Sequence, residues 1–489
     1  MKKIALFAIG LILVFSCSKD DPNEIIDPNS NSFQSQELLS KKVINDYIES
    51  QLRQYGDVKW MDAPDDMLYS AVMHGGGILS IGFGYEGESF SIEKSSRLID
   101  AKENIVNIVR SSEDISKSDP IVYDYDVLNA IDVQISDIET IRALKSADQI
   151  RYLDPLGYES FLFSNNEIQP KSFGCETGNR TLNTQDYRVI SPNAWLPWNF
   201  DVHNVPQAWN LSTGAGITIG LIDTGISSSQ NLLSSNGFND GFSTGRTVQR
   251  FGTFDGSDSD QCGHGTSMAS AMVSPRNDDG MPVGVAYNAN LVAYRGTGDV
   301  LLNSSRERRG VSNALRQLGD RSDVRIISMS LGYVWSIGSV KDAVRYAHNR
   351  GKLIFAAGGT STSFTNWYPV TFPASMSETV AVTGVKDNGD RCSNCHSGRQ
   401  IDFTIAMQRR ANSDRTVPVI GFNSNTRNMV GGSSVATATT AGIAALVWAR
   451  NPNMNRDQVL DKLRRAADNY PNRNRRFGYG NIDAFKAVQ

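Results

Sequence analysis

Apolar residues in the second half of the chain fall in short, almost unbroken runs: Ile217 to Ile222, Leu291 to Tyr294, Val324 to Leu331, Leu353 to Ala357 and Thr379 to Val385. Stretches of helical period lie between them. Strands apolar on both alternations and separated by helices predict a parallel sheet buried on both faces. One intervening helix is expected over Ser339 to Arg350, with Val340, Val344 and Ala347 on one face, Ser339 as N-cap and Gly351 just past the end. The expected fold is therefore α/β, a doubly wound parallel sheet. Its ligands should lie beyond the strand C-termini, where Asp223 and the loops after Leu331 and Ala357 emerge.

From 41 to 165 the pattern changes to alternating helical and strand segments. Ser96 to Arg110 sets Leu98, Ile99, Ile105, Val106 and Val109 along one helical face. A strand-like DVLNAIDVQI leads into a helical stretch from Ser136 to Ser146, and IRYLDP at 150 to 155 closes the unit. This βαββαβ order is ferredoxin-like, so a small α+β domain is expected ahead of the larger one. An independent adhesion domain is the alternative reading. Residues 166 to 195 are polar, without lasting period, and read as a linker, which leaves 196 to 489 for the larger domain.

At the N-terminus Lys2 and Lys3 precede an apolar run from Ile4 to Phe15, too short to span a bilayer and therefore a targeting segment. Its end, Val14-Phe15-Ser16-Cys17, resembles a bacterial lipobox, which implies a signal over 1 to 17 and lipidation of Cys17. Ser18-Lys19-Asp20-Asp21 resembles the signal that sends some Gram-negative lipoproteins to the cell surface, held by a lipid anchor in the outer membrane. An ordinary secretory peptide with a chance cysteine is the alternative. Residues 18 to 40 carry too little apolar surface to order themselves and read as a polar tether. A net charge of −4 over 489 residues offers no basic field to phosphates, so nucleic acid is not an expected partner.

Three strings carry candidate chemistry: IDTG at 222 to 225, CGHGTSMAS at 262 to 270 and GGSSVATATTAGIAAL at 431 to 446. A serine hydroxyl is a poor nucleophile until a base removes its proton, and an imidazole titrating near neutrality is such a base. A carboxylate can hold that imidazole in the useful tautomer and stabilise the imidazolium. Asp223, His264 and Ser434 supply these three groups. No string is decisive alone: aspartic proteases also use Asp-Thr-Gly, but as a pair, the His string is only moderately specific, and a serine at a helix start is commonly only an N-cap. Together, in the order Asp, His, Ser and with buried strands between them, the strings resemble a subtilisin-type serine protease.

The resemblance implies a hydrolase acting on polypeptide substrates, with no required cofactor. It extends to SMSLG at 328 to 332, which resembles the family's edge segment that pairs with an extended substrate. Ser330, Leu331, Gly332 and Gly358 are accordingly the expected substrate-binding positions. IRALKSADQIRYLDP resembles the last helix and strand of the family's propeptide, so 41 to 165 is expected to be the protein's own folding assistant and inhibitor. FGYGNIDAFKAV at 477 to 488 resembles the closing segment of the family's catalytic domain, and no appended module is expected after it. The departure is AAGGTST at 356 to 362: where the family has an Asn that donates the second oxyanion hydrogen bond, this chain has Gly359. Ser434 is expected to give one donor through its backbone N–H, and Asn366 or Thr360 to replace the other. A catalytically silent binding module is the alternative.

Beyond Cys17 there are four cysteines, an even number that suggests pairing outside the cytoplasm, and Cys175 with Cys262 and Cys392 with Cys395 is the expected arrangement of three. Cys392 to His396 also spells the CxxCH of haem attachment, but a haem there would displace packed structure. Asn277-Asp278-Asp279-Gly280 resembles the place of a family calcium loop, with Asp278 as ligand; a solvated acidic turn is the alternative. His74, His203 and His348 lie outside any motif and are expected to be structural.

Overall fold

The computed structural model describes residues 37–85, 87–115, 118–160, 174–360 and 370–489. The front domain opens with two helices, α1 (Lys41–Tyr55) and α2 (Asp65–His74). There follow β1 (Ile78–Phe83), α3 (Ser96–Ser112), β2 (Ile121–Asp124), β3 (Ala130–Gln134), α4 (Ile138–Lys145) and β4 (Ile150–Pro155). Its sheet runs β2-β3-β1-β4, antiparallel throughout, the ferredoxin-like order expected, with α1 and α2 added in front. The helix expected from Ser136 starts at Ile138 because Asp137 caps it, its side chain accepting from the Glu139 N–H at 2.9 Å.

The main domain starts earlier than the polar composition suggests. β5 (Tyr187–Ile190) and β6 (Ala194–Pro197) form an antiparallel hairpin inside the stretch expected to be linker. Tyr187 stacks on Trp195 with ring centroids 3.8 Å apart, and the Trp195 N–H donates to the Met281 carbonyl. Two strands of four residues are too brief to give a readable period. Short helices α5 (Trp198–Val202) and α6 (Val205–Ala208) then lead to the core sheet.

That sheet comprises β7 (Thr218–Asp223), β8 (Val248–Gly252), β9 (Asn290–Arg295), β10 (Val324–Met329), β11 (Leu353–Ala357), β12 (Val380–Lys386) and β13 (Ile401–Gln408), ordered β13-β12-β11-β10-β7-β9-β8 and wholly parallel. α7 (His264–Val273) and α10 (Gly432–Arg450) pack together, as do α8 (Ser305–Asp320) and α9 (Gly338–Asn349). The two pairs belong to different apolar cores: Ile219 and Leu221 of β7 join that of α7 and α10, and Ile222 that of α8 and α9. A strand buried on both faces must be apolar at most positions, which explains the almost unbroken runs. The polar edge strand β8, which alternates between half-buried and exposed residues, gives no such signal and is missed. So is the hairpin of β14 (Val417–Ile420) and β15 (Arg427–Val430) that precedes α10. His203 is structural as expected: its ring bridges the Ile482 carbonyl and the Ala406 N–H, and burial pushes it down to about 4.

The front domain covers α8 and α9, and its core is continuous with theirs, including Trp60 set edge-on to Trp335. Arg308 of α8 is buried, its guanidinium donating to the carbonyls of Pro155, Leu156 and Tyr158. Arg151 of β4 makes a two-pronged pair with buried Asp342 of α9 at 2.7 and 2.9 Å. The N-cap of α9 is Ile337, not the expected Ser339. Ser339 lies inside the helix, bonded to Ser312, and Ile337 at the cap position has no side-chain acceptor. Front-domain carboxylates satisfy the free N–H groups instead: Asp154 accepts from Gly338 at 2.6 Å and Asp57 from Ser336 at 2.8 Å.

Candidate active site

Asp223 ends β7, at the C-terminal edge of the sheet where β9 lies on one side and β10 on the other. Its Oδ1 accepts from the Thr224 N–H at 2.8 Å and contacts His264 Nδ1 at 2.7 Å. His264 is the first residue of α7, and tight backbone contacts fix it there. A Cβ on Gly265 would stand 2.2 Å from the Gly225 carbonyl, and one on Gly263, at φ 89°, 2.3 Å from the Glu176 carbonyl. Burial works against the imidazolium, but the charge and hydrogen bond of Asp223, aided by Asp260 and Asp299, outweigh it and raise His264 above its ordinary value.

Asp260, unmarked by any motif, organises this corner. Buried completely, it accepts from the N–H groups of Cys262, Gly263 and Thr266 and from the hydroxyls of Thr224 and Thr266. Thr224 in turn accepts from the Gly265 N–H, so the turn after Asp223 and the start of α7 are tied through one carboxylate. Only its place four residues before His264 could have suggested this.

Ser434 lies in the first turn of α10, a helix apolar all round because it is buried on all sides. It lines a cavity of about 570 Å³ together with His264, Ser330, Leu331, Gly332 and Gly359. Ser330 Oγ donates to the Ser434 carbonyl at 2.9 Å, where β10 gives way to the cleft edge, two residues before its expected end at Leu331. Gly332 is paired with Val300 and Leu302 across the cleft mouth. Gly358, expected to bind substrate, has its backbone engaged within the domain: its N–H donates to the Val382 carbonyl and its carbonyl accepts from the Thr371 N–H. Its neighbour Gly359 reaches the cleft instead.

Gly359 has φ 112°, and its N–H donates to Ser433 Oγ at 3.1 Å. Thr360 turns the same way, its Oγ1 accepting from the Ser433 N–H at 3.3 Å, so it supports the helix start. Asn366, the other expected replacement donor, and Cys17 lie outside the described residues.

Cys175 is bonded to Cys262 and Cys392 to Cys395. With its two sulfurs joined, the CxxCH string has no thiols left for a haem. The first bridge sets Gly174 against the His264 ring, where a Cβ would come within 3.0 Å of Cδ2. It spans 87 residues, for which chain entropy gives roughly 4–5 kcal/mol. Cys175→Ser is therefore expected to lower Tm by roughly 5–7 °C in a thermal melt, and an unchanged Tm would contradict the role. At the expected calcium loop, Asp278 and Asp279 are joined by Asp240, with ligand oxygens within 4.8 Å of one another. Carboxylate oxygens suit a hard cation, while Asn277 turns its amide nitrogen to Asp240 and Asp279.

A sequence model of the subtilase family matches residues 214–480. The M-protease of Shouchella clausii is 28% identical over 306 residues, 62% of this chain and 73% of the relative. The thermostable alkaline protease of Halalkalibacterium halodurans is 30% identical over 296 residues, 60% and 74% of the two chains. Thermitase of Thermoactinomyces vulgaris is 27% identical over 287 residues, 58% and 92%. The chain belongs to the subtilase family and is a subtilisin-like serine protease.

Proposed function

We propose that this subtilase is an endopeptidase that works through Asp223, His264 and Ser434, is made as a zymogen inhibited by residues 41–165, and is exported as a lipoprotein anchored through Cys17 at a Gram-negative cell surface. The observation that carries the catalytic part is the 2.7 Å contact of Asp223 with His264 in a cleft lined by Ser434. In the proposed reaction Ser434 Oγ attacks the peptide carbonyl while His264 takes its proton. His264 then passes that proton to the leaving amine, and water repeats the sequence on the acyl-enzyme. Asp223 fixes the ring through Nδ1 and leaves Nε2 for this work. A fluorophosphonate should label Ser434 and fail to label Ser434→Ala or His264→Ala. The side chain missing at Gly359 favours a second reading, a silent binding module, which would leave the wild type unlabelled. Calcium would be held by Asp240, Asp278 and Asp279 and would lend the loop stability rather than chemistry.

The inhibitor reading of the front domain rests on its contacts with α8 and α9. Because those helices flank β10, whose end forms the cleft edge, docking there also stabilises the substrate-binding frame. The mature N-terminus is expected between roughly 160 and 200, and mass spectrometry of the processed chain tests this together with lipidation at Cys17. Docking should weaken as pH rises. Burial raises Asp154 to about 7 despite the Gly338 hydrogen bond and the Arg308 charge, so the docked state favours its neutral form. Burial raises Asp132 and Asp342 as well. A carboxyl whose pKa is higher when docked contributes most below its free value near 4 and loses that contribution as pH climbs to about 7. The cleaved front domain should dissociate about tenfold more readily at pH 8 than at pH 6, read by co-elution on size exclusion. Retention independent of pH would contradict it.

A further inference from the structure

The chain enters the main domain by way of the cleft. Gly174, Glu176 and Arg180 line it together with His264 and Ser434, on a strap that is neither helix nor strand. At its far end the Arg180 N–H donates to the Arg427 carbonyl at 2.8 Å and the Arg427 N–H to Asn179 Oδ1 at 2.9 Å. These bonds fasten the strap to β15, just ahead of the helix that carries Ser434. At its near end Cys175 is bonded to Cys262, which stands next to Gly263 and His264. A Cβ on Gly174 would lie 3.0 Å from His264 Cδ2 and 3.7 Å from Nε2, so the strap rests on the ring edge away from Asp223. We propose that the Cys175–Cys262 bridge is a redox gate on hydrolysis. Oxidised, it holds the strap as a positioning wall against His264; reduced, it frees the strap and the enzyme loses most of its turnover. The inference rests on His264 and Ser434 carrying out that hydrolysis.

Nothing else on the strap can hold its near end. From Gly174 to Arg180 only Cys175 is apolar, and Gly174 and residues 177 to 180 are exposed. The ion pair of Glu176 with Arg180, at 2.8 Å, joins two members of the strap to each other through side chains 48% and 37% exposed, so it adds little hold on the main domain. Gly174 and Gly178 add backbone freedom that the hydrogen bonds at the far end leave in place. Asp223 fixes the imidazole at Nδ1 alone, and a ring free to shift by about 1 Å loses roughly 10²-fold in rate. The gate turns by thiol–disulfide exchange. One thiolate of a dithiol reductant attacks a sulfur of the bridge, and its second closes the reductant's own disulfide and expels the other cysteine. Two electrons and two protons pass from the dithiol to Cys175 and Cys262. Because such bridges persist outside the cytoplasm and not within it, the strap is loose before export and fixed after it.

The test uses the processed wild type, a Cys175→Ser/Cys262→Ser variant, and Gly174→Ala in both backgrounds, with kcat and KM on a peptide amide measured well below every melt. Dithiothreitol should lower wild-type kcat by about 10- to 10²-fold with KM nearly unchanged, and oxidised glutathione should restore it. The serine pair should show the same loss and no response to the reductant. Gly174→Ala sets a methyl on the His264 ring, so it should cost about tenfold in the bridged enzyme and less than about twofold in the serine pair, where the strap has left. An equal cost in both backgrounds would make the bridge structural only and overturn the proposal. Full activity after alkylation has shown both thiols free would do the same. So would activity that rises on reduction, a reductant effect that persists in the serine pair, or a mature N-terminus beyond Cys175. A bridged wild type that neither turns over nor reacts with a fluorophosphonate would instead overturn the endopeptidase reading.

Discussion

Ser434→Ala is expected to lower peptide hydrolysis by about 10⁶-fold, the size of loss found when the triad serine of subtilisin is removed. His264→Ala should lose as much, and the double variant little more. A nucleophile and its base act as one unit, so removing either leaves only binding and oxyanion stabilisation. Ser434 sits in the first turn of α10, whose fold rests on the buried length from Val435 to Trp448, so its hydroxyl is expendable for stability. The variant should therefore melt within a degree or two of wild type, and should remain uncut if maturation is self-processing. Initial rates on a peptide amide, with the melt as control, check both halves. An active Ser434→Ala protein with an intact fold would remove the serine from the mechanism altogether.

The parts of the molecule that could be read from the sequence are those where one physical demand fixes the residue type. Strands β7, β10, β11 and β12 face two cores each and are apolar at most positions, and they lie within a residue or two of their expected bounds. The turn after Asp223 and the segment that opens α7 must come within contact distance, which writes glycine at 225 and 265, while Gly263 leaves room for the Glu176 carbonyl; together they make both strings conspicuous. The edge strand β8 answers to solvent on one side and the hairpin β5–β6 rests on a single aromatic stack, so neither has a period to detect.

What stayed hidden is what depends on partners distant in sequence. The cap of α9 is supplied by Asp57 and Asp154 of the front domain, about 180 to 280 residues away, and a local rule therefore chose Ser339. Asp260 has no recurring neighbour pattern, yet it ties Thr224 to Thr266. His396 followed two cysteines and so suggested a haem, whereas its place against Gly359, where a Cβ would lie 2.7 Å from its Nδ1, exists only in three dimensions. The gap at 359 was legible, and the group filling its space was not.

Asp223→Asn carries the second large effect, a loss of about 10⁴-fold, together with a displaced pH profile. An amide at 223 would offer His264 Nδ1 a donor or a weaker acceptor, the ring would be free to take the wrong tautomer, and the imidazolium formed during attack would lose its counter-charge. The pH profile separates this from a simple packing defect. His264 must be neutral to accept the Ser434 proton, and Asp223 raises its pKa against burial, so wild-type kcat/KM should fall as pH drops through a value above the ordinary 6.5. In Asp223→Asn, burial acts with less opposition, and the acid limb should move down in pH. Profiles of kcat/KM from pH 5 to 9 on one peptide substrate check the shift. A variant with the reduced rate but an unmoved limb would assign the observed titration to another group, and His264 would lose its role as base.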